Sequence, residues 1–134
     1  MNGIKVIEVI KSKFQGTGTS TNIPMQMGGS FTARLTHEGI LVDNLGKQPF
    51  LPWIVFQEAI CVLIRNNGRA TRGDASRPRL GSQELPLDSI EGHIAQVVYG
   101  KKVGDPVFER ITPIAEILIW AGVCEPAQED LIFR

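Results

Sequence analysis

Residues 53–65, WIVFQEAICVLIR, constrain the fold of this chain more than any other stretch. Pro52 in front suits a first helical turn, where its missing N–H is not needed. The Asn66-Asn67-Gly68 that follows offers Asn67 or Gly68 as a left-handed cap. Between these signals the helix is apolar on nearly every face except at Gln57 and Glu58. Such a helix either runs through the centre of a core or gives half of its surface to a second subunit. The chain has 134 residues, enough for one domain that buries its core without disulfides or metals. With 43% apolar and 21% charged residues it has the balance of a folded protein, not a disordered one.

Upstream, IKVIEVIKSKF mixes β-branched residues with lysines and reads as a first strand. QGTGTSTNIPMQMGG lacks periodicity and reads as a connector. Its GTGTS has neither the following helix nor the Gly-Lys-Ser/Thr ending that a phosphate loop needs. FTARLT alternates Phe31, Ala33 and Leu35 with Thr32, Arg34 and Thr36. With the turn at His37-Glu38-Gly39 and the return through ILVDNL, residues 31–45 predict a β-hairpin.

Downstream, LDSIEGHIAQVVYG predicts a second helix, with Asp88 and Glu91 at capping-box spacing. Gly92 inside it weakens the helix by about 1 kcal/mol relative to Ala, which points to close packing. KKVG is a short turn. DPVFERITPIAEILIWAG predicts a third helix with Asp105 as N-cap and Pro106 in its first turn. Pro113 should kink it, or restart it with Thr112 as a fresh cap. VCEPAQEDLIFR reads as strand, turn and strand, with PAQED as the turn.

The predicted fold class is therefore α+β: an N-terminal β-hairpin or meander followed by a winged-helix-like three-helix core with a C-terminal β-hairpin. Residues 1–50 form the β-rich extension and 51–134 the winged-helix-like part, together one compact unit. The order of elements from residue 52 onward, with AICVLIRNNGRATRGDA and RITPIAEILIWAGVCEPAQEDLIFR, resembles the N-terminal winged-helix domain of Mrr-like restriction endonucleases. That resemblance implies a helix-turn-helix protein whose third helix enters the major groove while the hairpin touches backbone. It also implies a prokaryotic defence or mobile-element setting.

Charge adds the second line. The chain is neutral overall, with 14 basic and 14 acidic residues, yet residues 65–79 hold five arginines and one acid, Asp74. Residues 80–134 hold four basic and nine acidic side chains. A short cationic segment in a neutral chain marks a contact for an anionic partner. The predicted recognition helix carries Glu109 and Glu116, and the wing carries Glu125, Glu129 and Asp130. Phosphate contacts should therefore come largely from Arg69, Arg72, Arg77 and Arg79, with Lys101, Lys102, Arg110 and Thr112 as further donors.

These features predict non-catalytic binding of double-stranded DNA, as a regulator or specificity module. The alternative is a protein-interaction or assembly domain with the same fold and no nucleic acid. A homodimer is expected, because the central helix is apolar all round and the N-terminal strands can pair across a two-fold axis. Cys61 and Cys124 lie in or beside apolar runs and read as buried thiols in a reducing cytoplasm. Two cysteines and two separated histidines give no metal spacing, and no cofactor is expected. No apolar run reaches the roughly 18 residues of a membrane span, and the first residues lack a secretory pattern. The Arg72-Gly73-Asp74 tripeptide reads as accidental, with Asp74 capping the segment after it. His93 reads as a packed or exposed side chain and His37 as solvated. A Cys124–His93 nucleophile pair lacks the electropositive surroundings a thiolate needs, so no enzyme is expected.

Overall fold

The computed structural model describes residues 2–134. In chain order its elements are α1 Gly3–Gln15, β1 Ser20–Pro24, β2 Ser30–Leu35, β3 Gly39–Val42, β4 Phe50–Pro52 and α2 Trp53–Arg65. Then come β5 Arg69–Thr71, α3 Ile90–Val97, α4 Ile111–Trp120, β6 Cys124–Ala127 and β7 Asp130–Phe133. The class is α+β, with one sheet ordered β1-β2-β3-β4 and another ordered β5-β7-β6. All pairings are antiparallel. From α2 onward the sequence helix, strand, helix, helix, hairpin has the winged-helix-like form, with β5 closing the hairpin sheet through Ala70 opposite Leu131.

The first element overturns an expectation. Residues 4–14 are helical, not extended. Val6, Ile10 and Phe14 recur every four residues and all are fully buried. That apolar stripe outweighs the β-branched composition once α2 is there to pack against. Asn2 caps the helix, its Oδ1 accepting from the Lys5 N–H at 3.0 Å. A side chain at Gly3 would press on Gln57 of α2, so the two helices cross closely there. Phe14 meets Trp120 edge-on with centroids 5.0 Å apart, tying α1 to α4.

The predicted 31–45 hairpin is present as β2 and β3, extended to a meander by β1 and β4. β1 falls in the segment read as a connector. It is short and mostly polar, and only Ile23 points into the core. Ile23 stands opposite Phe31, Ala33 opposite Val42, and Ile40 opposite Leu51. All six of these residues are buried, which makes the inner face continuous. Gly39 is required where β3 meets β4, since a Cβ there would collide with the Leu51 carbonyl oxygen.

α2 runs through the centre of the core. α1, α3, α4, β4, β5 and β7 all pack on it. That is the first of the two placements expected of so apolar a helix, and Ile54, Cys61 and Ile64 stay exposed. Its end follows the sequence reading: Asn67 and Gly68 have φ of 61° and 95°, and the Gly68 N–H reaches Leu63 O at 2.7 Å.

α3 begins one residue later than its acids suggest. Ser89, buried, is the N-cap and accepts from the Gly92 N–H at 3.0 Å. Asp88 instead pairs with Arg65 at 2.9 Å. Gly92 is tight as expected: a Cβ there would collide with the Pro86 carbonyl. Residues 105–110 are not helical. α4 starts at Ile111, which places Pro113 in a first turn where its missing N–H does no harm. Asp105 turns back to accept the Lys102 N–H at 2.8 Å.

One buried cluster spans both halves of the chain, from Val6, Ile23 and Phe31 through Phe56 and Leu63 to Ile114 and Ile117. A second, smaller cluster holds Ala75, Leu80, Leu85, Ala95 and Val107. It orders the long segment between β5 and α3.

Candidate nucleic-acid interface

The smaller cluster explains where the arginine run goes. Leu80 and Leu85 drop onto Ala95 and Val107, and backbone bonds lock the contact. The Leu80 N–H donates to Asp105 O at 3.0 Å and the Gly104 N–H donates to Leu80 O at 2.8 Å. Arg79 Nη1 adds a bond to Gly104 O at 3.3 Å. The segment carrying Arg77 and Arg79 is thereby fastened to the α3–α4 connection carrying Lys101 and Lys102. All four cations are exposed, and none has a carboxylate partner among the described residues. The acids nearest them along the chain are Asp74, exposed and accepting the Ser76 N–H and hydroxyl, and Asp105, half-buried and accepting the Lys102 N–H. Thr112 is also exposed, at the start of α4.

The other arginines do not join this set. Arg69 is held by Asp130 of β7, Nε to Oδ2 2.7 Å. Arg72 is half-buried, its backbone N–H bonded to Glu129 O at 2.9 Å and its Nε without a partner. It lines a cleft of about 570 Å³ whose rim carries Asp74, Glu84 and Glu129. Three carboxylates around one guanidinium make a poor seat for phosphate.

Arg110 is a correction. At 6% exposure it presents no surface to a duplex. Its guanidinium carbon lies 3.6 Å from the Tyr99 ring centroid and 4.8 Å from that of Phe108. Its backbone N–H donates to both oxygens of Glu91, at 3.2 and 3.1 Å. Glu91 is buried as well, and desolvation pushes its carboxyl up from 4.5 to about 7 despite those bonds and the nearby Arg110 charge. It thus leaves the predicted capping box to hold the start of α4.

α4 is a second correction. A helix that reads DNA needs one free face, but Ile111 and Pro113 through Leu118 are all buried. The meander covers its outer side: Glu116, 4% exposed, accepts the Gln26 N–H at 2.6 Å. The meander shares the main core, so it is a permanent cover. Burial also removes the Glu116 carboxylate from any contact with phosphate.

The cysteines separate. Cys124 is buried, and burial pushes its thiol up to about 12, partly offset by Arg72. Cys61, expected inside, is exposed on the open face of α2, and its thiol is raised by partial burial and by Glu58. His93 Nε2 sits 2.9 Å from Glu58 Oε1 and makes no bond to Cys124. Among the described residues no three His, Cys, Asp or Glu side chains group as a metal site.

The residues that sequence reasoning missed are Lys47, Gln48, Phe50 and Tyr99. They line a cleft of about 340 Å³ with Pro49, Pro52 and Arg110. It forms where the β3–β4 loop meets the α3–α4 connection, and no local motif marks it. Comparison with protein-family models, curated proteins and solved structures returned no match.

Proposed function

We propose that this chain is a non-catalytic double-stranded DNA-binding protein that grips the phosphate backbone through Arg77, Arg79, Lys101 and Lys102. The observation that carries this reading is their convergence: two loops far apart in sequence are bonded together so that four unpaired, exposed cations share one region. In a chain of zero net charge such a patch gives a local anion preference that bulk charge does not supply. With α4 covered, base-edge readout through that helix is absent from the proposal. Sequence preference then comes from duplex shape. The role as regulator or specificity module of a prokaryotic defence or mobile-element system follows from the winged-helix resemblance alone. The two free cysteines fit a reducing, cytoplasmic setting.

The experiment is duplex binding at two salt concentrations, by the wild type and by a variant with all four cations changed to Ala. The wild type should show a log–log salt slope of about −3 to −4, and the variant a slope near zero. Absence of salt-dependent binding by the wild type on both random and genomic DNA sinks the proposal.

A second reading, a protein-interaction domain, draws on a different observation. His93 bonds Glu58 and Asp88 pairs with Arg65, so α3 runs antiparallel along α2, and Ile54, Ile64 and Val97 stay exposed beside that seam. On this reading a second copy seats there. Replacing Ile64 by Asp should then dissociate a homodimer in sedimentation equilibrium. A wild type that sediments as a monomer removes this reading.

A further inference from the structure

The structure raises a different question at Arg110, which is buried and yet lacks a counter-ion. Its Nη2 donates to Gln48 Oε1 at 2.6 Å and its Nη1 weakly to the Phe108 carbonyl at 3.4 Å. Both acceptors are neutral. Among the described residues no carboxylate lies within ion-pair distance of the guanidinium. Glu91 is close, but its oxygens accept backbone N–H groups at the start of α4. The Nε–H has no partner at all. Stacking on Tyr99 and Phe108 supplies part of the missing stabilisation, since a cation over an aromatic face is attracted by the ring quadrupole. A full charge removed from water still calls for an anion.

A second orphan lies beside it. The Tyr99 hydroxyl is buried and also has no partner. Buried polar groups in folded proteins are paired as a rule; of the five orphan side-chain atoms among the described residues, these two belong to side chains stacked on each other. Both side chains line the same cleft of about 340 Å³ between the β3–β4 loop and the α3–α4 connection. Lys47 lines it too, bringing a second positive charge. The remaining wall is flat and apolar: Pro49, Pro52 and the partly exposed ring of Phe50. The volume lies at the lower end of the range for small-molecule pockets. Guanidinium groups match the oxygen geometry of carboxylates and phosphates, and aromatic and proline rings stack on planar bodies.

We propose that this cleft binds a small organic oxyanion, a carboxylate or phosphate carried on a flat ring. On binding, the cleft opens far enough for the Arg110 Nε–H and the Tyr99 hydroxyl, both sealed from solvent in the free chain, to reach the oxyanion beside Lys47, and the ring lies against Phe50 and the two prolines. The site is independent of the duplex-binding reading, because neither Lys47 nor Phe50 belongs to the four-cation patch.

The test is an NMR titration of the full chain with three probes: adenosine 5′-monophosphate, benzoate and inorganic phosphate. The side-chain Nε–Hε signal of Arg110 and the amide of Phe50 report on the cleft. AMP or benzoate should shift both signals saturably with a Kd below about 1 mM, and whichever binds more tightly identifies the oxyanion. Lys47→Ala and Phe50→Ala, both at exposed positions, should keep the fold and weaken binding about tenfold each. Tyr99→Phe should weaken binding while raising the apo protein's thermal midpoint, because it deletes a buried orphan hydroxyl. A purely structural Tyr99 would move both in the same direction. No saturable shift with any probe up to about 10 mM overturns the proposal, as does equal affinity in the Lys47 and Phe50 variants. Inorganic phosphate binding as tightly as AMP overturns the part assigned to the apolar wall.

Discussion

α4 and the segment from Gly73 to Asp88 are both packed, but in opposite ways. α4 is regular, carries little charge outward, and is enclosed by the main core on one side and the meander on the other. The 73–88 segment has no regular structure, sits on a small cluster of its own, and faces outward with its cations. In the winged-helix arrangement the helix is expected to do the reading and the loop to be a spacer. Here the helix is a structural beam and the loop presents the charge. A shared order of elements therefore does not fix which element carries the exposed charge.

The largest test of that contrast is Phe56→Ala in α2. Phe56 is fully buried in the cluster that both halves share, so the change should remove about 3–5 kcal/mol of unfolding free energy. Denaturant melts followed at Trp53 and Trp120 should then stay coincident. Separate transitions would break the picture of one core.

Glu91 lies at the junction of the two regions. Its folded pKa of about 7 stands above the ordinary 4.5, so the folded state holds its proton more tightly than the unfolded chain. Its contribution is fully present below about pH 4.5 and falls away as the pH rises to about 7, by on the order of 3 kcal/mol. Glu91→Gln should flatten stability across that window in urea melts. A variant with the same slope as the wild type assigns the pH dependence elsewhere.

Leu80→Ala addresses the small cluster alone. A loss of about 2 kcal/mol is expected, with hydrogen-exchange protection falling at Leu80 and Gly104 but not in α2. Gly92→Ala sets two effects against each other. Helix propensity favours Ala by about 1 kcal/mol, but the collision with the Pro86 carbonyl should win and leave a net loss of about 1–3 kcal/mol. Stabilisation by Gly92→Ala would mean that the Pro86 turn yields easily. Smallest of all, removing the four cations should change stability by less than about 0.5 kcal/mol, since they are exposed and without carboxylate partners, and Arg79 adds only one long bond to the Gly104 carbonyl.

What the sequence made legible follows from the range of the forces involved. The central helix, the β2–β3 hairpin, α3 and the terminal hairpin each have a local signature: periodicity, alternation, or a glycine or asparagine at a turn. α1 was hidden because its β-branched residues imitate a strand, and only packing on α2 makes its four-residue stripe decisive. β1 was hidden because its pairing with β2 owes little to its own polar side chains. Arg77 and Arg79 were legible as charge, and Lys101 and Lys102 as a basic turn. Their meeting was not, because it depends on Leu80 finding Asp105 and Gly104. Arg110 departs from its sequence expectation for the same reason: a basic residue at a helix start looks exposed until Tyr99, Phe108 and Gln48 close around it.

The central claim is that the loop pair, not α4, meets DNA. Adding a short duplex at low salt to ¹⁵N-labelled protein and mapping the shifted amides tests it most directly. The account predicts shifts concentrated at residues 76–81 and 101–104, vanishing as salt is raised. Shifts centred on α4 and the Met25–Gly29 turn, or none anywhere, would contradict it.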